Sequence, residues 1–193
     1  MASLASLLRE VRACRVCDAY LPLGPRPVLR AKVTARLLII GQAPGTKVHE
    51  TGIGWNDRSG DRLREWLQLD RATFYDETRI AIVPMGFCYP GVDANGGDRP
   101  PRRECAPLWH ARIMALLPHI ELTLLVGSYA QAYYLGERRP LNMTATVQTW
   151  RECAPAYLPL PHPSWRNTAW LRRNPWFESE LLTDLRRRVH ALL

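Results

Sequence analysis

Apolar positions in this chain fall into short runs separated by long polar stretches rich in Gly and Pro. Leu37-Leu38-Ile39-Ile40, Ile80-Ala81-Ile82-Val83 and Leu122-Thr123-Leu124-Leu125-Val126 are nearly unbroken apolar runs. Strands covered on both faces read this way. The pattern predicts strands over 36–41, 80–83 and 122–127, and a short fourth strand over Tyr157-Leu158-Pro159-Leu160. A helical period marks 3–16, 59–67 with Ser59 as its N-cap, 104–117 closed by Pro118, 128–135 and 176–192. Residues 18–35, 42–58 and 86–103 read as loops. Strands alternating with helices predict an α/β fold of three layers, α/β/α, around a central, mostly parallel four-stranded sheet. With no internal repeat and no linker, one domain over residues 1–193 is the economical expectation.

Charge adds a partner class. The net charge is +8, and only Lys32 and Lys47 are lysines, so arginine carries almost all of the positive charge. Guanidinium forks suit phosphate oxygens, which points to an acidic polymer. Arginine usage imposed by genome composition, on solvated helix faces, is the plainer alternative. No apolar window approaches the roughly 20 residues of a membrane span. The N-terminal segment is charged too soon for a secretory signal and reads as an amphipathic first helix. These features predict a cytoplasmic protein, whose five cysteines then suggest metal ligands or free thiols rather than disulfides.

Three constellations carry candidate chemistry. The run 37–40 ends in Gly41-Gln42-Ala43-Pro44-Gly45, a tight loop at a strand's carboxyl end, where α/β proteins place functional groups. The loop Thr51–Asp61 holds Trp55 near glycines, with Asn56 and Asp57 beside it. An indole there could stack on a nucleobase or plug a satellite core. Asp57 could act chemically or only cap the next helix, and Asp61 reads as a cap or surface residue. His162 is bracketed by Pro161 and Pro163 and followed by Ser164, Trp165, Arg166 and Asn167. That setting suits a fixed donor next to a phosphate-docking segment, or a histidine merely bonded in a turn. His49, His110, His119 and His190 read as packing or surface groups. Cys14 and Cys17 form a CxxC pair, and Cys88 and Cys105 follow the second strand. Four thiolates could hold zinc or an iron–sulfur cluster, and buried cysteines also occur without metal. Cys153 reads as a structural thiol.

On these motifs the chain resembles the uracil-DNA glycosylase superfamily, closest to its iron–sulfur families four and five, over roughly residues 12–190. Gly41–Gly45 is similar to the family's GEAPG or GLAPG motif, Gly52–Leu63 to its GRPFTGDxSGxxL segment, and His162-Pro163-Ser164 to its last motif. Phe87-Cys88-Tyr89-Pro90 and Glu104-Cys105-Ala106-Pro107 match its cysteine segments. The resemblance implies a glycosylase that removes uracil or another deaminated base from DNA. In it, Gly41, Gln42, Ala43, Pro44, Gly45, Trp55 and Asn56 would form the base pocket. Asp57 and His162 would be catalytic, and Ser164, Trp165, Arg166 and Asn167 would contact DNA. Cys14, Cys17, Cys88 and Cys105 would hold a 4Fe-4S cluster, with zinc or no metal as alternatives. A monomer acting on DNA is expected. Two departures mark a divergent subgroup: Pro84 stands where family four has its uracil-pairing Asn, and Gln42 replaces that family's glutamate. A non-catalytic DNA-binding or damage-sensing module, and an enzyme acting on free nucleotides, remain the competing expectations.

Overall fold

A computed structural model describes residues 3–140 and 142–193. Its center is a sheet of strands β1 (Leu37–Ile40), β2 (Ile80–Ile82), β3 (Leu122–Val126) and β4 (Tyr157–Leu160). The order is β2-β1-β3-β4 and every pairing is parallel. Side chains alternate between the two faces along each strand. Leu38, Ile40, Ala81 and Leu125 join one apolar cluster, while Leu37, Ile39, Ile80, Ile82, Leu124 and Leu158 join the other. Because both faces are covered, the strands need no polar positions. The expected three-layer α/β/α architecture is observed.

On the first face lie helices α1 (Leu4–Arg12), α5 (Cys105–Met114) and α6 (Ser128–Leu135). The α1 helix is capped by Ser3, whose hydroxyl accepts from the Ser6 amide, and it buries Leu4, Leu7, Leu8 and Val11. Glu10 on α1 pairs with Arg112 on α5 at 2.6 Å. The second face holds α3 (Arg58–Leu67), α7 (Met143–Gln148), α8 (Trp150–Cys153), a π-helical segment Phe177–Leu182 and α10 (Thr183–Leu192). Among the described residues, no helix is long and apolar enough to cross a membrane.

Local details depart from expectation. The helix predicted over 3–16 stops at Arg12, which leaves Cys14 and Cys17 in the turns that follow. The segment 104–117 is helical only from Cys105 to Met114. Within the expected loop 42–58 lies a short helix, α2 (Thr46–Thr51), ended by Gly52 at φ +71°. Ser59 does not cap α3. The cap is Asp57, whose Oδ1 accepts from the Gly60 amide at 2.8 Å. Helices α4 (Arg71–Phe74), α7, α8 and α9 (Thr168–Arg173) arise where no periodicity was legible.

The strand order fixes where a site can form. The chain leaves β1 for β2 on one side, and β3 then pairs on the other side of β1. The loops beyond the carboxyl ends of β1 and β3 therefore diverge, and such a switch point leaves a crevice between them.

Candidate active site

A cavity of about 270 Å³ opens at this end of the sheet, lined by groups that follow β1, β2 and β4. Gly41, Gln42, Ala43, Pro44 and Gly45 line it after β1, as expected. This loop is pinned to the chain beyond β2: Gly41 O accepts from the Met85 amide and Gln42 O from the Gly86 amide, both at 2.9 Å. The Gln42 side-chain amide donates to Arg99 O at 3.2 Å.

Trp55 reaches the same cavity through unusual backbone. Its φ is +59°, in the left-handed region that a bulky residue rarely enters. Burial offsets that strain on one side, because the indole packs against the second-face core. On the other side the buried Arg64 guanidinium donates to Trp55 O at 3.2 Å, and also to Tyr75 Oη and Asp61 Oδ1. Gly41 leaves the room the ring needs, since a Cβ there would lie 2.6 Å from Trp55 Cζ2. Trp55 thus plugs a gap in the core and presents a face to the cavity.

His162 follows β4 and faces this indole, with ring centroids 5.6 Å apart and planes 32° from parallel. Its backbone is held by Asn167 Nδ2, which donates to His162 O at 2.7 Å. Gly127, at φ +89° after β3, lies beside it: a Cβ there would make ordinary contact with His162 Cβ at 3.5 Å, and the left-handed backbone is what favours glycine. Among the described residues, nothing hydrogen-bonds to either imidazole nitrogen. Burial pushes the imidazole below its ordinary pKa, against the opposing charge of Asp57, so the ring is neutral at pH 7. Asp57 lines the cavity while capping α3.

The mouth is formed by Ser164, Trp165 and Arg166. Trp165 is 74% exposed, an isolated aromatic on the rim. The Arg166 guanidinium lies 5.7 Å from its ring center and reaches Gly96 O at 3.5 Å. Arg62 on α3 donates to Ser164 O at 3.0 Å, tying this rim to the helix that Asp57 caps.

Two expected contacts fall elsewhere. Asn56 is not on the cavity wall: its amide bonds Thr51 Oγ1 and Arg71, which turns it toward α2 and α4. Asn167 serves His162 rather than facing the cavity mouth. Pro84 lines the wall with no polar side-chain atom. Its carbonyl faces away, accepting from His110 Nε2 at 3.0 Å, while Tyr134 Oη lies 2.7 Å from Nδ1. His110 is thus a satisfied core histidine, which burial takes down to about 4. Sequence reading missed Arg62, Arg64 and Asp98. The only signal for Asp98 was a carboxylate directly after Gly96-Gly97 in a loop beyond a strand end.

Cys14, Cys17, Cys88 and Cys105 line a second, mostly apolar cavity with Leu21, Phe87, Leu108 and Trp109. None forms a disulfide. Burial raises the Cys88 thiol to about 11 and the Cys105 thiol to about 12, the Phe87 backbone amide opposing the latter. Among the described residues, no group of three or more His, Cys, Asp or Glu side chains is arranged to hold a metal ion. Cys153 lies apart, packed against the first-face core.

Residues 29–186, most of the chain, match the model of the uracil DNA glycosylase superfamily. That span contains the loop after β1, Trp55, Asp57, Cys88, Cys105 and His162, whereas Cys14 and Cys17 precede it. The chain therefore belongs to the uracil DNA glycosylase superfamily.

Proposed function

We propose that this protein is a DNA glycosylase that hydrolyses the N-glycosidic bond of uracil or another deaminated base. The observation that carries the reading is the meeting of Trp55, Asp57 and His162 around one cavity, with Trp165 and Arg166 at its mouth. A duplex hides the bond, so the nucleotide must swing out of the stack at a cost of a few kcal/mol. Arg166 meets backbone phosphate, and the exposed Trp165 fills the space the nucleotide vacates. The extruded base stacks on Trp55.

Bond cleavage sends the glycosidic electron pair into the base, leaving an oxocarbenium-like sugar. His162, neutral and without a protein partner, donates an N–H to the base oxygen where negative charge develops. A fixed donor of this kind is worth roughly 3–4 kcal/mol. Asp57 stabilises the sugar cation and orients the water that attacks C1′. That water gives its oxygen to the sugar and its proton to the departing base.

Cys14, Cys17, Cys88 and Cys105 would hold a 4Fe-4S cluster. Support comes from four thiols lining one mostly apolar void, a donor set that suits a thiolate-held cluster. When bound, such a cluster cross-links the turn after α1, the loop after β2 and the start of α5. The protein acts as a monomer on DNA.

The test is incubation with single- and double-stranded oligonucleotides carrying uracil, hypoxanthine, xanthine or hydroxymethyluracil, followed by alkali. Strand breaks at the modified base support the glycosylase. Tight retention of the modified strand without breaks assigns a damage-binding module instead, and release only from free nucleosides assigns a nucleoside hydrolase.

A further inference from the structure

Opposite the loop after β1, the cavity wall is completed by a hairpin. Val92 and Asp98 pair across it, and the Asp93 amide donates to Gly97 O at 2.7 Å. The Asp93 carboxylate fixes its tip by accepting from the Asn95 and Gly97 amides at 2.8 and 2.9 Å. Arg166 contacts the same tip from the other rim. The hairpin carries Asp98 onto the cavity wall, where a Cβ at Gly45 would lie 3.8 Å from Asp98 Oδ2. Among the described residues, no group donates to this carboxylate. Partial burial and the charges of Asp57 and Asp93 raise its pKa from the ordinary value, while Arg166 opposes them.

Pro84 offers no side-chain hydrogen bond to a base, so the ring edge of an extruded base needs a partner from another part of the wall. Resting on the glycosylase reading above, we infer that Asp98 is the specificity residue of this cavity, its carboxylate accepting the ring N–H that deaminated bases carry on their pairing edge. The contact separates deaminated bases from their amino parents: uracil has N3–H and hypoxanthine has N1–H, where cytosine and adenine present a lone pair, while thymine and guanine, which carry the same N–H, must be excluded by other parts of the wall. An acceptor favours the first pair and repels the second, irrespective of whether the ring is a pyrimidine or a purine.

The experiment measures binding and release separately. Single-stranded oligonucleotides carry either 2′-fluorodeoxyuridine, whose glycosidic bond resists hydrolysis, or its N3-methyl analog, so duplex stability plays no part. The wild-type chain should bind the N3–H form at least about tenfold more tightly, as expected for a hydrogen bond to a charged acceptor. Asp98→Ala should bring that ratio close to one. Asp98→Asn, which keeps a neutral acceptor oxygen, should retain a smaller preference for the N3–H form and shows that the hairpin tolerates substitution. No preference in the wild type, or an undiminished ratio in Asp98→Ala, overturns the inference. Base release from ordinary deoxyuridine is read in parallel: a wild type that shows the binding preference but releases no base ends the glycosylase reading and leaves the role of Asp98 intact.

Discussion

Gly60 sits directly against the backbone of Trp55: a β-carbon at Gly60 would lie 1.7 Å from the Trp55 carbonyl oxygen and 2.6 Å from its carbonyl carbon. The first turn of α3 therefore holds the indole-bearing loop by close main-chain approach. Gly60→Ala must push the loop away, at about 1–3 kcal/mol for an overpacked site. Thermal melts should show the loss, and base release should fall further than stability does. At Gly41 the clash is with the indole ring alone, so Gly41→Ala should keep the fold and impair release.

Asp57 combines a structural and a chemical task, and the two separate by substitution. Asparagine caps helices as well as aspartate, whereas alanine costs about 1 kcal/mol. Asp57→Asn should melt within a few degrees of wild type and lower single-turnover base release by about 100-fold or more. Asp57→Ala should lose both. Equal rates for wild type and Asp57→Asn would remove the carboxylate from the mechanism.

His162→Ala should slow base release by about 100- to 1,000-fold, the usual effect of deleting one fixed donor, with little change in DNA affinity measured by fluorescence anisotropy. Arg166→Ala should do the reverse. It should weaken binding to every sequence alike and reduce the salt dependence by about one phosphate contact.

His110 sets a pH limit on the fold. Its folded pKa of about 4 lies below the ordinary value of 6.5. As pH falls, the unfolded chain takes up this proton first, so stability from the neutral ring is complete above about 6.5 and drains away toward 4. The loss amounts to about 3 kcal/mol. His110→Phe keeps a ring against Phe87. Its urea-unfolding stability should be lower at pH 7 and should decline less between pH 7 and 4.

Protein purified without oxygen should be brown, with iron and acid-labile sulfide in equal amounts, and Cys88→Ser should reduce both. Zinc at one atom per chain, or no metal in freshly prepared protein, would refute the cluster.

The parts legible in the sequence were those whose cause is local. Apolar runs marked β1 to β4 because both sheet faces are buried, and Pro161 and Pro163 marked His162 because they restrict its backbone. What escaped depends on partners distant along the chain. Ser59 looked like a cap because it adjoins the helical period, yet the Gly60 amide points back to Asp57. Asn56 looked like a base contact by proximity to Trp55, but Arg71 pulls its side chain aside. The buried Arg64 that braces Trp55, and the hairpin that brings Asp98 to the cavity, leave no periodic trace.

Pro84 belongs to one cavity wall and Cys88 to the other, with only Met85, Gly86 and Phe87 between them. Met85 and Gly86 are themselves bonded to the loop after β1. A nick, an alkylated sulfur or an oxidised thiol at Cys88 would consequently be felt as a displaced wall of the first cavity. The chemical state of one sulfur and the shape of the candidate site are thus joined through a single short tether.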